Sequence, residues 1–537
     1  MLKIISALGV ATLLTSTTIY SQEIEQDDPI EIIEDYSIEY AATINASELR
    51  EHLMIIASDE FEGRETGMPG QKKAAEYIAN YFEGLQIEPY DGLTYFQEYP
   101  LKRESFVSTT CSVNGREFKF IEDFYFFGSS VNRNVKLSDV QLSGYGIAAK
   151  SWDDYKGVDI KGKAVMILTD VPRNKKGEPV VSGEEFEMWA ADWRMKVEEA
   201  KSRGAKELIM VNQDYDSYMS RVKYYLENPG MSLVDDSESP EENEDFQVFF
   251  VSPEMADALL DDSKNKNLKK YKKRISKGKS PKQSSIRADF NLNLENKIEN
   301  FTGENVLAFI EGTDLKEEIV VVTAHYDHIG RKGDEINNGA DDDGSGTVSA
   351  LEIAEAFQMA KLQGNGPRRS VLVMTVSGEE KGLLGSRYYS DHPIYPLENT
   401  VVDLNIDMIG RVDEAHKDGE DYIYLIGSDK LSTDLHRISE TANSDYVNLE
   451  LDYTYNDPND PNKFYYRSDH YNFAKHGIPV IFYFSGVHED YHKPTDTPDK
   501  IMYDKLEKVA RLVFHTAWEL ANRDDAPIVD KENEFTD

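Results

Sequence analysis

Apolar residues between Ala46 and Leu85 recur at helical spacing. Leu49, Leu53 and Ile56 line one stretch, and Ala74, Ile78, Tyr81 and Phe82 line the next. Two helices are predicted, joined by the loop Phe61-Glu62-Gly63-Arg64-Glu65-Thr66-Gly67-Met68-Pro69-Gly70. Strand-like segments follow from Phe96 to Lys136. From Leu137 to about Leu294 a second unit alternates short strands with an amphipathic helix that runs through Ala200, as in a small β-rich α/β module. From Asn296 to Asn522 the pattern changes to continuous apolar runs. Ile319 to Thr323, Val371 to Val376, Val401 to Ile406 and Pro479 to Phe484 read as strands buried on both faces of a mostly parallel sheet. Between the first two, Thr347 to Leu362 carries Ala350, Ile353, Ala354 and Phe357 on one helical face. The predicted fold is α/β: a mixed sheet with a parallel centre, flanked by helices and interrupted by a smaller domain.

The length agrees, since 537 residues exceed what one ordinary core accommodates. The expected divisions are 1–21, 22–43, 44–136, 137–295, 296–523 and 524–537. The first is read as a signal peptide, with Lys3, an apolar run from Ile4 to Leu14, and small polar residues up to Ser21. That run is too short to span a bilayer. The second and last are acidic and expected to be poorly ordered. An exported chain without a membrane span is expected, periplasmic or secreted.

Charge narrows the partners. The net charge is −40, which opposes binding to phosphate backbones and to anionic lipid. The second unit pairs an acidic run, Asp235 to Asp245, with a basic one, Lys264 to Lys282, which reads mainly as a solvated helix and loop. Cys111 is the one cysteine, so neither an intrachain disulfide nor a cysteine-based zinc finger is available.

Metal-ligand residue types recur where the predicted strands of the last segment end. The first strand runs into His325-Tyr326-Asp327. Residues two apart on extended chain point the same way, so Asp327 is placed to hold the second nitrogen of the His325 imidazole. Asp341-Asp342-Asp343 then enters a helix between glycines. Three adjacent carboxylates repel one another, and a divalent cation relieves that cost. The next strand ends in Glu379-Glu380, a pair suited to one metal ligand and one proton carrier. Asp407 follows the next strand, and Tyr491-His492-Lys493-Pro494-Thr495-Asp496 follows the last. Open α/β sheets place their sites at such strand ends.

These motifs, with Ala57-Ser58-Asp59-Glu60-Phe61-Glu62-Gly63-Arg64, resemble the co-catalytic zinc aminopeptidase and glutamate carboxypeptidase family. The inserted unit resembles a protease-associated domain. The resemblance implies two Zn2+ ions, with Mn2+ or Co2+ as substitutes. His325 and Asp407 would hold one ion, Glu380 and His492 the other, and Asp342 would bridge them. Glu379 would be the general base and Asp327 a supporting residue. Ser468, Asp469, His470 and Tyr491 are candidates to line the substrate pocket. A cis peptide bond is expected between Asp342 and Asp343. Lys493 stands where the family commonly has Thr, which bears on local substrate contacts.

The implied activity is exopeptidase action on peptides, with removal of N-terminal residues favoured over a carboxypeptidase of the same family. A glutaminyl cyclase of the same fold is disfavoured because those enzymes use one zinc. A non-catalytic binding protein is disfavoured because no ligand or base is missing. Substrate side-chain preference and oligomeric state are not legible.

Overall fold

The computed structural model describes residues 35–126, 133–150, 152–173, 176, 178–179, 184–227, 230–234, 246–261, 263–277, 279 and 284–535. The expected signal peptide, residues 22–34 of the acidic segment, and the acidic run 235–245 lie outside them.

The helical spacing after Ala46 forms α1 (Ala46–Ile56) and α2 (Pro69–Gly84). The Asn45 side chain caps α1 by accepting from the backbone N–H groups of Ser47 and Glu48, at 3.2 and 3.1 Å. Pro69 opens α2, at the position where its missing N–H costs nothing. Two long strands, β1 (Phe96–Val113) and β6 (Ser285–Ile310), pair antiparallel from Phe96 opposite Val306 to Val113 opposite Phe290.

Strand β6 is shared by two groups of strands. On its N-terminal half it pairs with β2 (Arg133–Leu142), which leads through β3 (Ala164–Leu168) and β4 (Glu207–Val211) to β5 (Gln247–Val251). Links from β2 to β5 are parallel. On its C-terminal half β6 pairs antiparallel with β8 (Arg369–Val376). Beyond β8 come β7 (Leu315–His325), β9 (Thr400–Ile406) and β11 (Val480–Phe484), all parallel, and then antiparallel β10 (Tyr422–Ile426). The expected division at 295/296 thus falls within one continuous strand.

Burial follows the apolar pattern. Ile319 through His325 of β7 and all of β8 are buried, as strands covered on both faces must be. One face packs on α1, α2, α3 (Gly346–Leu362) and α4 (Tyr503–Asn522), through residues such as Leu53, Ile78, Phe357 and Phe514. The opposite face packs on Tyr389, Phe464 and Phe473. The β2–β5 strands carry separate clusters around Phe249 and Phe290 on one side and Tyr155 and Phe250 on the other. No helix among the described residues is long and apolar enough to cross a membrane.

Candidate active site

Because β8, β7, β9 and β11 run parallel in that spatial order, their carboxyl ends share one edge. His325 is the last residue of β7. Its Nε2 lies 3.4 Å from Asp342 Oδ1, 3.6 Å from Asp407 Oδ1 and 4.0 Å from Glu379 Oε2. A second focus lies beside it. His492 Nε2 is 3.1 Å from Asp342 Oδ2 and 3.3 Å from Glu380 Oε1. Asp342 therefore faces both groups, one oxygen to each. The five side chains named as ligands by the resemblance are brought together. His328, three residues past His325, joins them with Nδ1 2.8 Å from Glu380 Oε1.

The acidic triplet is resolved by its backbone partners. Asp341 Oδ1 accepts from Gly410 N at 2.7 Å, and its Oδ2 lies 3.2 Å from His488 Nε2. Asp343 Oδ1 accepts from Gly346 N at 2.9 Å and Met408 N at 3.0 Å. Of the three, only the middle carboxylate faces His325, His328 and His492. The Asp342–Asp343 peptide is cis, as the resemblance implied. Asp496 fixes the approach to this turn by accepting from the backbone N–H groups of Asp341 and Asp342, at 3.0 and 3.3 Å from Oδ2.

Asp327 differs in detail from the expectation. The His325 Nδ1 partner is the backbone carbonyl of Asp327 at 3.0 Å, while the carboxylate stands off at 3.7 Å. That carboxylate accepts instead from Thr66 Oγ1 at 2.6 Å and from Glu379 N at 3.2 Å. The strand ends at His325, so the two-residue alternation no longer governs Asp327. Asp327 thereby positions the Glu379 backbone as well as the His325 ring.

Ser468, Asp469 and His470 do not form an open pocket wall, because all three are buried. Ser468 donates to Asp407 Oδ2 at 2.8 Å and accepts from Asn405 Nδ2 at 2.9 Å, so it orients a site carboxylate. Asp469 accepts from Ser386 Oγ. His470 stacks on Phe482 with ring centroids 4.7 Å apart, and burial pushes its imidazole down to about 3, leaving it neutral. Tyr491 is half-buried and stacks on His492 at 3.9 Å.

Electrostatics mark the cluster as short of positive charge. Burial disfavours a charged His492, yet the adjacent carboxylates of Asp342 and Glu380 outweigh it and raise the imidazole to about 10. His325 is likewise raised, against burial, by Glu379 and Asp407. Glu379 is pushed well above the usual carboxylate range by burial, with Glu380 and Asp407 adding to it against the pull of His325. The carboxylates thus draw protons onto the rings. Hydrogen bonding does not account for the arrangement, because His325 Nε2, both ring nitrogens of His328, Asp342 Oδ2 and Glu380 Oε1 are buried without a hydrogen-bond partner among the described residues. Lone pairs of His and carboxylate that converge within coordinating reach and satisfy nothing else fit divalent cations, and the donor set suits zinc.

Outside the five candidate ligands, Arg64 is fully buried and binds the backbone carbonyls of Ile56, Tyr326, Asn338 and Gly339. It fastens the N-terminal helices to both site loops. Sequence flagged Arg64 by motif only, and nothing local marks its four partners.

Residues 305–517 match the profile of Peptidase family M28. Aminopeptidase YwaD of Bacillus subtilis (strain 168) is 28% identical over 236 residues, which is 42% of this chain and 47% of that protein. The probable leucine aminopeptidase of Arthroderma otae is 33% identical over 224 residues, 40% of this chain and 57% of that protein. The chain spans about half the length of these two curated relatives. Among solved structures, an aminopeptidase from Aneurinibacillus sp. strain AM-1 superposes with a TM-score of 0.50 at 19% identity, covering 92% of this chain and 98% of that one, a likeness of fold. The five side chains that the resemblance named as ligands all lie within residues 305–517, the segment that matches Peptidase family M28.

Proposed function

We propose that the chain is an exported, zinc-dependent exopeptidase that removes N-terminal residues from peptides. The observation that carries this reading is the set of buried, unsatisfied His and carboxylate atoms converging at the strand ends. Relatives named aminopeptidase support the choice of peptide terminus.

His325 and Asp407 would hold one cation and Glu380 and His492 a second, with Asp342 between them. Two divalent cations, when bound, polarise the scissile carbonyl and acidify water. The rest is done by side chains. Glu379 takes the proton of the attacking water and delivers it to the departing amine. Its backbone is fixed by Asp327, and its carboxylate lies 4.0 Å from the His325 ring. An acidic wall that includes Glu379 also suits a substrate's free ammonium group. Ser468 keeps Asp407 turned toward His325.

The purified chain is assayed against aminoacyl-arylamides and peptides ending in Glu, with and without chelator. Chelator-sensitive release of arylamine is expected. Chelator-sensitive cleavage of the second substrate alone would assign the chain to carboxypeptidases. No chelator-sensitive hydrolysis of either class would overturn the exopeptidase reading.

A further inference from the structure

The two foci of the site are not equivalent. His325 Nε2 is surrounded by Asp342 Oδ1 and Asp407 Oδ1, which makes three protein ligands. The other focus contains four candidate donors. His328 Nδ1 lies 2.8 Å from Glu380 Oε1 and 3.7 Å from Asp342 Oδ2, and His492 Nε2 lies 3.3 and 3.1 Å from the same two oxygens. Ligands about 2.0–2.1 Å from a tetrahedral zinc are separated by about 3.3 Å, and these four separations bracket that value.

The His328 ring is held for this task. It is fully buried, and neither ring nitrogen has a hydrogen-bond partner among the described residues. Its backbone N–H donates to Arg64 O at 3.2 Å, and its ring stands edge-on to that of His492 at 5.7 Å. Its flank lies so close to Gly339 that a Cβ there would sit 2.6 Å from Cγ and Cδ2. The glycine before the acidic triplet thus leaves room for the imidazole as well as adopting its positive φ of 55°.

We propose that His328 is a fourth protein ligand of the second cation. His328, His492, Glu380 and Asp342 then enclose that ion, while the ion at His325, Asp342 and Asp407 keeps an open position. A position that the protein leaves open admits water or substrate, and a fuller set of protein ligands holds its ion more firmly. The two ions therefore differ in affinity, and the ion at His325 leaves first. This inference rests on the two-cation reading under Proposed function.

X-ray absorption on the full-length protein loaded with Zn2+ counts the imidazoles per pair of ions. Three are expected (His325, His328 and His492). Two ions sharing two imidazoles would overturn the assignment of His328 and leave the peptidase reading standing. A protein that binds no divalent cation would overturn both. In a chelator competition monitored by zinc content, His328→Ala should weaken one ion by at least about 100-fold, since loss of a mere supporting partner of a ligand costs 10–100-fold. Asp407→Ala should weaken the other ion instead. His328→Ala retaining both ions within about tenfold of wild-type affinity would also overturn the proposal. The count on wild-type protein decides the matter even where the variant does not fold.

Discussion

Arg64 offers a sharp test of how the site is held, because one side chain binds four carbonyls from three stretches of chain. Nε reaches Tyr326 O at 2.7 Å. Nη1 reaches Ile56 O and Asn338 O at 2.9 and 2.6 Å, and Nη2 reaches Gly339 O at 2.8 Å. Burial lowers the guanidinium to about 10, so it remains charged at neutral pH, where Asp327, Asp342, Asp496 and Asp343 favour its charge. Arg64→Met conserves much of the stem and removes every donor. Each buried carbonyl left without a partner costs about 1–3 kcal/mol. Four of them give at least about 4 kcal/mol, before the lost charge beside the acidic cluster is counted. Hydrogen exchange read by mass spectrometry reports this as local opening. Peptides covering 56–66 and 325–340 should lose protection by roughly 1,000-fold, at about 1.4 kcal/mol per factor of ten. Peptides covering β3 (Ala164–Leu168) should not change, since that strand packs in another cluster. Excess Zn2+ should restore only the electrostatic part, because a cation does not donate to the carbonyls. Protection within tenfold of wild type in both site peptides would refute the argument that Arg64 fastens these loops together.

Two further predictions concern groups whose partners are equally explicit. Asp327→Asn can present an acceptor to Thr66 or to Glu379 N but not to both, so zinc affinity and turnover should each fall by about 10–100-fold, measured by chelator competition and steady-state kinetics. An unchanged rate would mean that the Glu379 backbone is held by other contacts. Lys196 is buried with Nζ donating to the carbonyls of Leu168, Thr169 and Asp170, and burial lowers its ammonium from 10.5 to about 7. Between those values the unfolded chain binds a proton that the folded chain does not, so stability rises with pH across that window. Relative to Lys196→Met, the wild type should therefore gain a few kcal/mol from roughly pH 7 to roughly pH 10, at about 1.4 kcal/mol per pH unit. Denaturant unfolding followed by tryptophan fluorescence suits this test, since Trp152, Trp189 and Trp193 lie in the same part of the chain. A pH-independent difference would contradict it.

The parallel strands were legible because strands buried on both faces need unbroken apolar runs, and the residues just past Val376 and Ile406 then fall at one edge. The choice of Asp342 within the triplet came only from the resemblance. Its structural reason lies in Met408 and Gly410, whose amides occupy Asp343 and Asp341 from more than sixty residues away. The Asp327 expectation carried strand alternation two residues past the strand's end at His325. Ser468 and His470 look alike in sequence as polar residues near the site, yet one faces Asp407 and the other Phe482. Local spacing does not encode which way each buried side chain turns where the bend at Ser468 leads into the helix His470–Ala474. The boundary near residue 295 was placed by a change in pattern, whereas β6 runs through it and pairs with different neighbours on its two halves.

The central claim is that Glu379 moves the proton while its neighbours hold the cations. The direct measurement is Glu379→Ala, assayed for zinc content and for arylamide hydrolysis on the same preparation. The account predicts two zinc ions per chain, as in wild type, and hydrolysis reduced by about 10²–10⁴-fold. A variant that keeps its zinc and hydrolyses at the wild-type rate would contradict it.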